Sequence, residues 1–128
     1  MTLKDRVQGL AHIGLRVHDL ARSRAFYEQL GFAFAWGPYG PDKVCGLTHA
    51  SGLEINFIVN APDGDEPNVL MDVPEKHPGF THVALKIDDV AATEAALAAA
   101  GVAISGRRDD VALFVRDPDG NVVELASD

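Results

Sequence analysis

The sequence predicts an α+β fold: two βαβββ modules in one chain, forming a curved mixed-sheet cup with the helices on its outer face. Three observations predict it. The chain repeats itself, each repeat reads strand, helix, strands, and the same residue types start and stop the helix in both. Leu10–Phe32 lies over Phe80–Val102 at the offset of 70 that separates His12 from His82. Leu15 then falls on Leu85, Asp19 on Asp89, Ala25 on Ala95 and Gly31 on Gly101. The same offset, continued without a gap, lays Glu54 over Glu124. Coincident apolar residues are cheap in such a comparison, but two histidines and two glutamates in one register are not.

Ala11–Val17 alternates apolar and polar residues and reads as the first strand. Asp19 suits a helix N-cap, Phe26, Tyr27 and Leu30 recur at helical spacing, and Gly31 suits the position after the helix end. Phe32–Trp36 reads as a short strand that stops at the turn-rich Gly37-Pro38-Tyr39-Gly40-Pro41. Lys43–Thr48 and Leu53–Val59 read as a hairpin. In the second module Thr81–Ile87 is a strand, and Asp88 or Asp89 caps an Ala-rich helix ending at Gly101. Val102–Ser105 is a strand, and Gly106–Asp110 reads as a short loop. Ala112–Arg116 and Asn121–Ala126 form a hairpin across Asp117-Pro118-Asp119-Gly120. The modules span about 8–60 and 80–126 of a single domain, with Ala61–Gly79, rich in proline and without a period, as the linker.

With 128 residues the chain has room for one domain of ordinary size and needs no metal or disulfide staple. Its 19 acids outnumber 11 Lys and Arg, which argues against nucleic acid or an anionic membrane as a partner. The single cysteine, Cys45, excludes an internal disulfide and a cysteine-based zinc site, and reads as an apolar filler. No apolar run approaches the ~20 residues of a membrane span. No secretory signal follows Met1–Asp5, so the cytosol is the expected home.

Strand parity decides which side chains look the same way. Ile13, Leu15 and Val17 share one face, opposite His12, Gly14 and Arg16. Val83, Leu85 and Ile87 share one face, opposite His82, Ala84 and Lys86. Leu53, Ile55 and Phe57 oppose Glu54, Asn56 and Ile58, and Val123 and Leu125 oppose Val122, Glu124 and Ala126. The apolar sets belong under the helices, so His12, Glu54, His82 and Glu124 are expected to converge on the concave surface. Two imidazoles and two carboxylates suit Ni²⁺, Co²⁺, Mn²⁺, Fe²⁺ or Zn²⁺ and leave two open positions in an octahedral shell. Arg16, Asn56 and Lys86 share that surface and are expected to contact substrate. His18, His49 and His77 have no repeat partner and read as structural. Phe34, Trp36, Phe57 and Phe114 read as core, with pocket lining as the alternative.

The pattern His12-x-x-Leu15-x-Val17-x-Asp19-Leu20-x-x-Ser23-x-x-Phe26-Tyr27, followed by Leu30-Gly31-Phe32, resembles the opening of the vicinal oxygen chelate superfamily. The closing Asp117-Pro118-Asp119-Gly120-Asn121-x-x-Glu124-Leu125 resembles its C-terminal signature, and the likeness spans Leu10–Ala126. The superfamily includes glyoxalase I, methylmalonyl-CoA epimerase, extradiol dioxygenases, fosfomycin thiol transferases and bleomycin-binding proteins. The resemblance implies metal ligation by His12, Glu54, His82 and Glu124, a set most similar to that of bacterial glyoxalase I. It therefore implies a metal-dependent lyase or isomerase, with Glu124 and Glu54 as the catalytic carboxylates and proton transfer on a chelated hemithioacetal. The substrate is then a small molecule, such as a glutathione adduct, with Arg16 matching a glyoxalase I arginine that contacts the glutathione carboxylate, and the assembly a homodimer. Ile58 departs from the pattern, standing where glyoxalase I usually carries an Asn. Epimerase, dioxygenase, thiol transferase and non-catalytic binder are the alternatives. Dioxygenases and fosfomycin transferases use two His and one Glu, so Glu54 counts against both.

Overall fold

In the computed structural model, which describes residues 2–128, the chain divides after Gly64 into two units. The first follows a single 3-10 turn, Leu3–Asp5, with β1 (Ile13–Arg16), α1 (Leu20–Gln29), β2 (Ala33–Tyr39), β3 (Val44–Thr48) and β4 (Glu54–Ile58). The second contains β5 (His82–Lys86), α2 (Val90–Ala100), β6 (Ile104–Arg108), β7 (Ala112–Arg116) and β8 (Val122–Ala126). Each is a βαβββ module with one four-stranded mixed sheet, ordered β1-β4-β3-β2 and β5-β8-β7-β6. The outer pair β1–β4 is parallel, as is β5–β8, and the other pairs are antiparallel. A parallel pair needs a crossover, which α1 with its following strands supplies in one unit and α2 with its own supplies in the other.

The helix signals act as read. The Asp19 carboxylate accepts from the Arg22 N–H at 3.0 Å, and Asp89, not Asp88, accepts from the Ala92 N–H at 2.7 Å. Gly101 ends α2 at φ +74, a left-handed conformation that glycine adopts without penalty. The faces divide by parity. Under α1 lie Val17, Cys45, Leu47, Ile55 and Phe57, all buried, with Tyr27 meeting Phe26 and Phe32 edge-on and Phe57 at a tilt. The second core is aliphatic: Leu97, Leu113, Val115, Val123 and Leu125.

Two readings are corrected. Gly37–Tyr39 is not a turn; β2 runs on through it, with register shifts on either side of Trp36 where the pairing with β3 slips. Such bulges let a strand pass through glycine and proline while re-aiming its side chains. Gly106–Arg108 is not a loop but the second half of β6. The segment 65–81 carries no regular element, and part of it is fastened to the second unit. The Asn68 N–H donates to the Asp119 carbonyl at 2.8 Å, and the Asp72 carboxylate takes two 3.0 Å bonds from Arg116. Among the described residues, no helix is long and apolar enough to cross a membrane.

Candidate metal and substrate site

The face of each sheet opposite its helix can be read row by row from the strand register. In the first unit one row runs Gly14, Asn56, Gly46, Trp36 across β1, β4, β3 and β2. The next runs Arg16, Ile58, Val44, Tyr39. In the second unit the matching rows are Ala84, Glu124, Phe114, Gly106 and Lys86, Ala126, Ala112, Arg108.

These rows revise the repeat. Ile13 pairs with Ile55, whereas Val83 pairs with Val123. The final strands therefore match at an offset of 68, two less than the first strands, as Ile55 over Val123 shows. By pairing, the counterpart of Glu124 is Asn56, and that of Glu54 is Val122. Glu54 stays on the same face as Asn56, half-buried at the start of β4.

His82 and Glu124 are brought together. The Nε2 of His82 stands 3.1 Å from Oε1 of Glu124, whose side chain is 8% exposed. The Thr81 hydroxyl lies 2.8 Å from Nδ1 of His82, so the other ring nitrogen is the one turned to Glu124. Two donors about 2.1 Å from one ion at a right angle stand about 3 Å apart, so this spacing fits adjacent ligands of a divalent metal. The second oxygen of Glu124 accepts from Arg108, from Nη2 at 2.7 Å and Nε at 3.2 Å. The guanidinium continues to Asp128, with Nη1 at 2.9 Å from one carboxylate oxygen and Nη2 at 3.0 Å from the other. These bonds hold the Asp128 carboxyl below its usual range and push the guanidinium, already a strong base, higher still.

His12 is exposed just before β1, and Gly14 and Arg16 follow it on the same face. Asn56 is 8% exposed, and its Oδ1 is buried without a hydrogen-bond partner among the described residues. An orphaned buried oxygen costs roughly 1–3 kcal/mol. A donor or cation supplied by a ligand would remove that cost. Within either unit, among the described residues, no three His, Cys, Asp or Glu side chains are gathered closely enough to hold an ion.

Arg16 donates from Nε to Asn60 at 2.9 Å, and Asn60 donates to Asp42 at 3.1 Å, which ties the guanidinium to the edge of its own module. Lys86 is exposed. His49 packs against Phe32 and accepts from the Ser51 N–H, and His18 contacts the Pro62 carbonyl at 2.7 Å. Both are structural in these contacts. Cys45 is fully buried. Phe57 is core, and Phe34 carries the Arg24 guanidinium 4.5 Å over its ring. Trp36 and Phe114 instead lie on the face opposite the helices. Trp36 covers Gly46, where a Cβ would meet the indole at 2.2 Å, and stacks on exposed Tyr39 with 4° between the rings.

Arg108 is the residue that sequence reasoning missed. Its parity with Glu124 was available, but the glycine before it and Asp109-Asp110 after it disguise the strand end as a loop. Its neighbour Arg107 points to the other face and pairs with Glu94 on α2.

The profile of the Glyoxalase/Bleomycin resistance protein/Dioxygenase superfamily matches residues 9–125. No curated protein matches the chain significantly. Among solved structures, a glyoxylase/bleomycin resistance protein/dioxygenase domain from Frankia sp. EAN1pec superposes with a TM-score of 0.76 at 21% identity, over 94% of this chain and 97% of that one. The fosfomycin resistance protein FosX from Listeria monocytogenes, solved with Mn(II) and a dihydroxypropylphosphonic acid, gives 0.71 at 22% identity, over 94% and 92%. Glyoxalase I of Leishmania major, a trypanothione-dependent enzyme, gives 0.66 at 25%, over 94% and 86%. With its twin βαβββ modules, its paired His82 and Glu124, and a profile match running nearly end to end, the chain belongs to the Glyoxalase/Bleomycin resistance protein/Dioxygenase superfamily.

Proposed function

We propose that this chain is a divalent-metal enzyme that moves a proton on a small substrate bearing two adjacent oxygens, a hemithioacetal being the leading candidate. The observation that carries the reading is the His82–Glu124 pair, two ligating atoms 3.1 Å apart with the imidazole fixed from behind by Thr81. The family resemblance would add His12 as the third donor. The fourth comes from β4, where the register favours Asn56 over Glu54. The ion, when bound, stabilises the negative charge that develops as the substrate loses its proton. Glu54 is then the carboxylate that carries the proton, because both oxygens of Glu124 are engaged, one beside His82 and one by Arg108. Trp36 and Tyr39 offer a flat apolar surface for the rest of the substrate. The working form is a homodimer.

Titration with Ni²⁺ or Co²⁺ tests the site first. One ion should bind per chain, and Glu124→Gln should lower Co²⁺ affinity by more than about 100-fold while the fold survives. Full metal binding in both His12→Ala and Glu124→Gln proteins would exclude the site. Turnover of a hemithioacetal under strict anaerobiosis then tests the reaction, with Glu54→Gln expected to lose turnover and keep the metal.

Asn56 favours one second reading. An amide at the lattice place that corresponds to Glu124 would leave two His and one carboxylate, which removes the objection to addition or oxygenation chemistry raised by Glu54. Opening of an epoxide, or oxygen uptake matched to ring-opened catechol, identifies that outcome.

A further inference from the structure

We propose that Arg108 anchors a carboxylate group of the substrate, and that Asp128 occupies that place in the free protein. The guanidinium has two working edges. Nε and Nη2 hold one oxygen of Glu124, and Nη1 and Nη2 hold both oxygens of Asp128 at 2.9 and 3.0 Å. The second arrangement is the two-pronged fit by which arginine recognises a free carboxylate. Asp128 is held there by its own chain, since the preceding Ser127 is fastened to the Val111 carbonyl through both N–H, at 2.8 Å, and hydroxyl, at 3.2 Å. The side chains of Arg108 and Asp128 are 44% and 51% exposed. An exposed pair of this kind favours contact over separation by no more than about fivefold, so an outside carboxylate can displace Asp128.

The position gives the anchor its use. Arg108 lies on the same face as Glu124, in the next row of the sheet, and touches the carboxylate that faces His82. A molecule held by this edge of the guanidinium has its carboxylate one guanidinium away from Glu124 and the rest of its body free to reach the His82–Glu124 pair. The class selected is a small oxygenated acid whose carboxylate lies outside the reacting part. That the anchored molecule is also the one turned over rests on the metal-enzyme reading above, whereas the anchoring itself rests only on Arg108 and Asp128.

The test is propionate binding to the full chain, followed by the NMR shift of the Arg108 Nε–H and by calorimetry. Asp128→Asn should tighten propionate about fivefold, by removing the internal competitor. Asp110→Asn removes the same charge from the nearby turn and should leave affinity within about twofold, which separates displacement from a general gain in positive potential. Arg108→Gln should abolish the binding. If that variant unfolds, Arg108→Lys keeps the charge without the fork and should weaken propionate about tenfold. Unchanged affinity in Asp128→Asn, or propionate binding that persists in Arg108→Gln or at full strength in Arg108→Lys, overturns the proposal. Co²⁺ titration of the same variants separates the two readings: a chain that binds propionate through Arg108 but no ion keeps the anchor and loses the metal enzyme.

Discussion

The two modules share a topology and a strand lattice, yet the faces opposite their helices are furnished in opposite ways. The second is ionic: Glu124 sits between His82 and Arg108, and Arg108 sits between Glu124 and Asp128. At the lattice places of Glu124 and Arg108 the first module has Asn56 and Tyr39, an amide and a phenol. The aromatic residue has also changed strands. Phe114 stands on β7 beside Gly106, whereas Trp36 stands on β2 and lies over Gly46. A repeat keeps its backbone because the helix-side core requires it. Its opposite face is free to differ: the place of the Glu124 carboxylate is taken by the Asn56 amide, that of Arg108 by Tyr39, and the aromatic residue stands on another strand.

Glycine substitution breaks this comparison most sharply. Gly46→Ala puts a Cβ 2.2 Å from the Trp36 indole, so the ring must leave its place. We expect a loss of about 1–3 kcal/mol in urea unfolding, together with a changed tryptophan fluorescence. Gly106→Ala meets Phe114 at 3.7 Å, an ordinary contact, and should change stability by no more than about 0.5 kcal/mol. Equal effects at the two positions would mean that the aromatic residues are placed alike.

The cores give a smaller effect. Cys45 and Leu113 hold matching places, paired with Phe57 and Leu125. Burial pushes the Cys45 thiol above its usual range, so thiolate is scarce in the folded chain. Labelling by a thiol reagent at pH 8 should run more than about tenfold slower than for free cysteine and recover that rate in urea. Fast labelling of the folded chain would show that the first core opens.

The smallest effect concerns Asp72, whose carboxyl the Arg116 guanidinium holds below its ordinary value. A depressed folded value means that the contribution is present above the ordinary carboxylate range and is lost as pH falls through the folded value. Proteolysis around residues 68–73 should therefore rise on acidification from pH 6 toward pH 3, and Asp72→Asn should show the raised rate already at pH 6.

The fold was legible because its signals are local. Asp19 and Asp89 cap their helices, Gly101 ends one, and alternation sorts Val17 and Phe57 from Gly14 and Asn56. Strand parity also placed His82 and Glu124 on one face, where they meet. What parity cannot supply is register, because a slip of two residues preserves the face and changes the neighbour. That slip makes Asn56, rather than Glu54, the lattice counterpart of Glu124. Arg108 escaped for a different reason: its strand ends among glycine and aspartates, which carry no apolar period.

The hydrogen bonds at the ends of the linker also set a leash. Pro62 is held to the first module through His18, and Asn68 is held to the hairpin of the second. Whatever the residues between them touch, six peptide steps span no more than about 22 Å. For two modules that close on each other, such a leash sets an effective concentration on the order of millimolar where it reaches, and none where it does not. Partner choice becomes a matter of polymer length. If the modules are exchanged between chains as part of the proposed dimer, a Gly-Ser insertion after Gly64 should shift it toward a self-closed monomer, and sedimentation at micromolar concentration reads the shift.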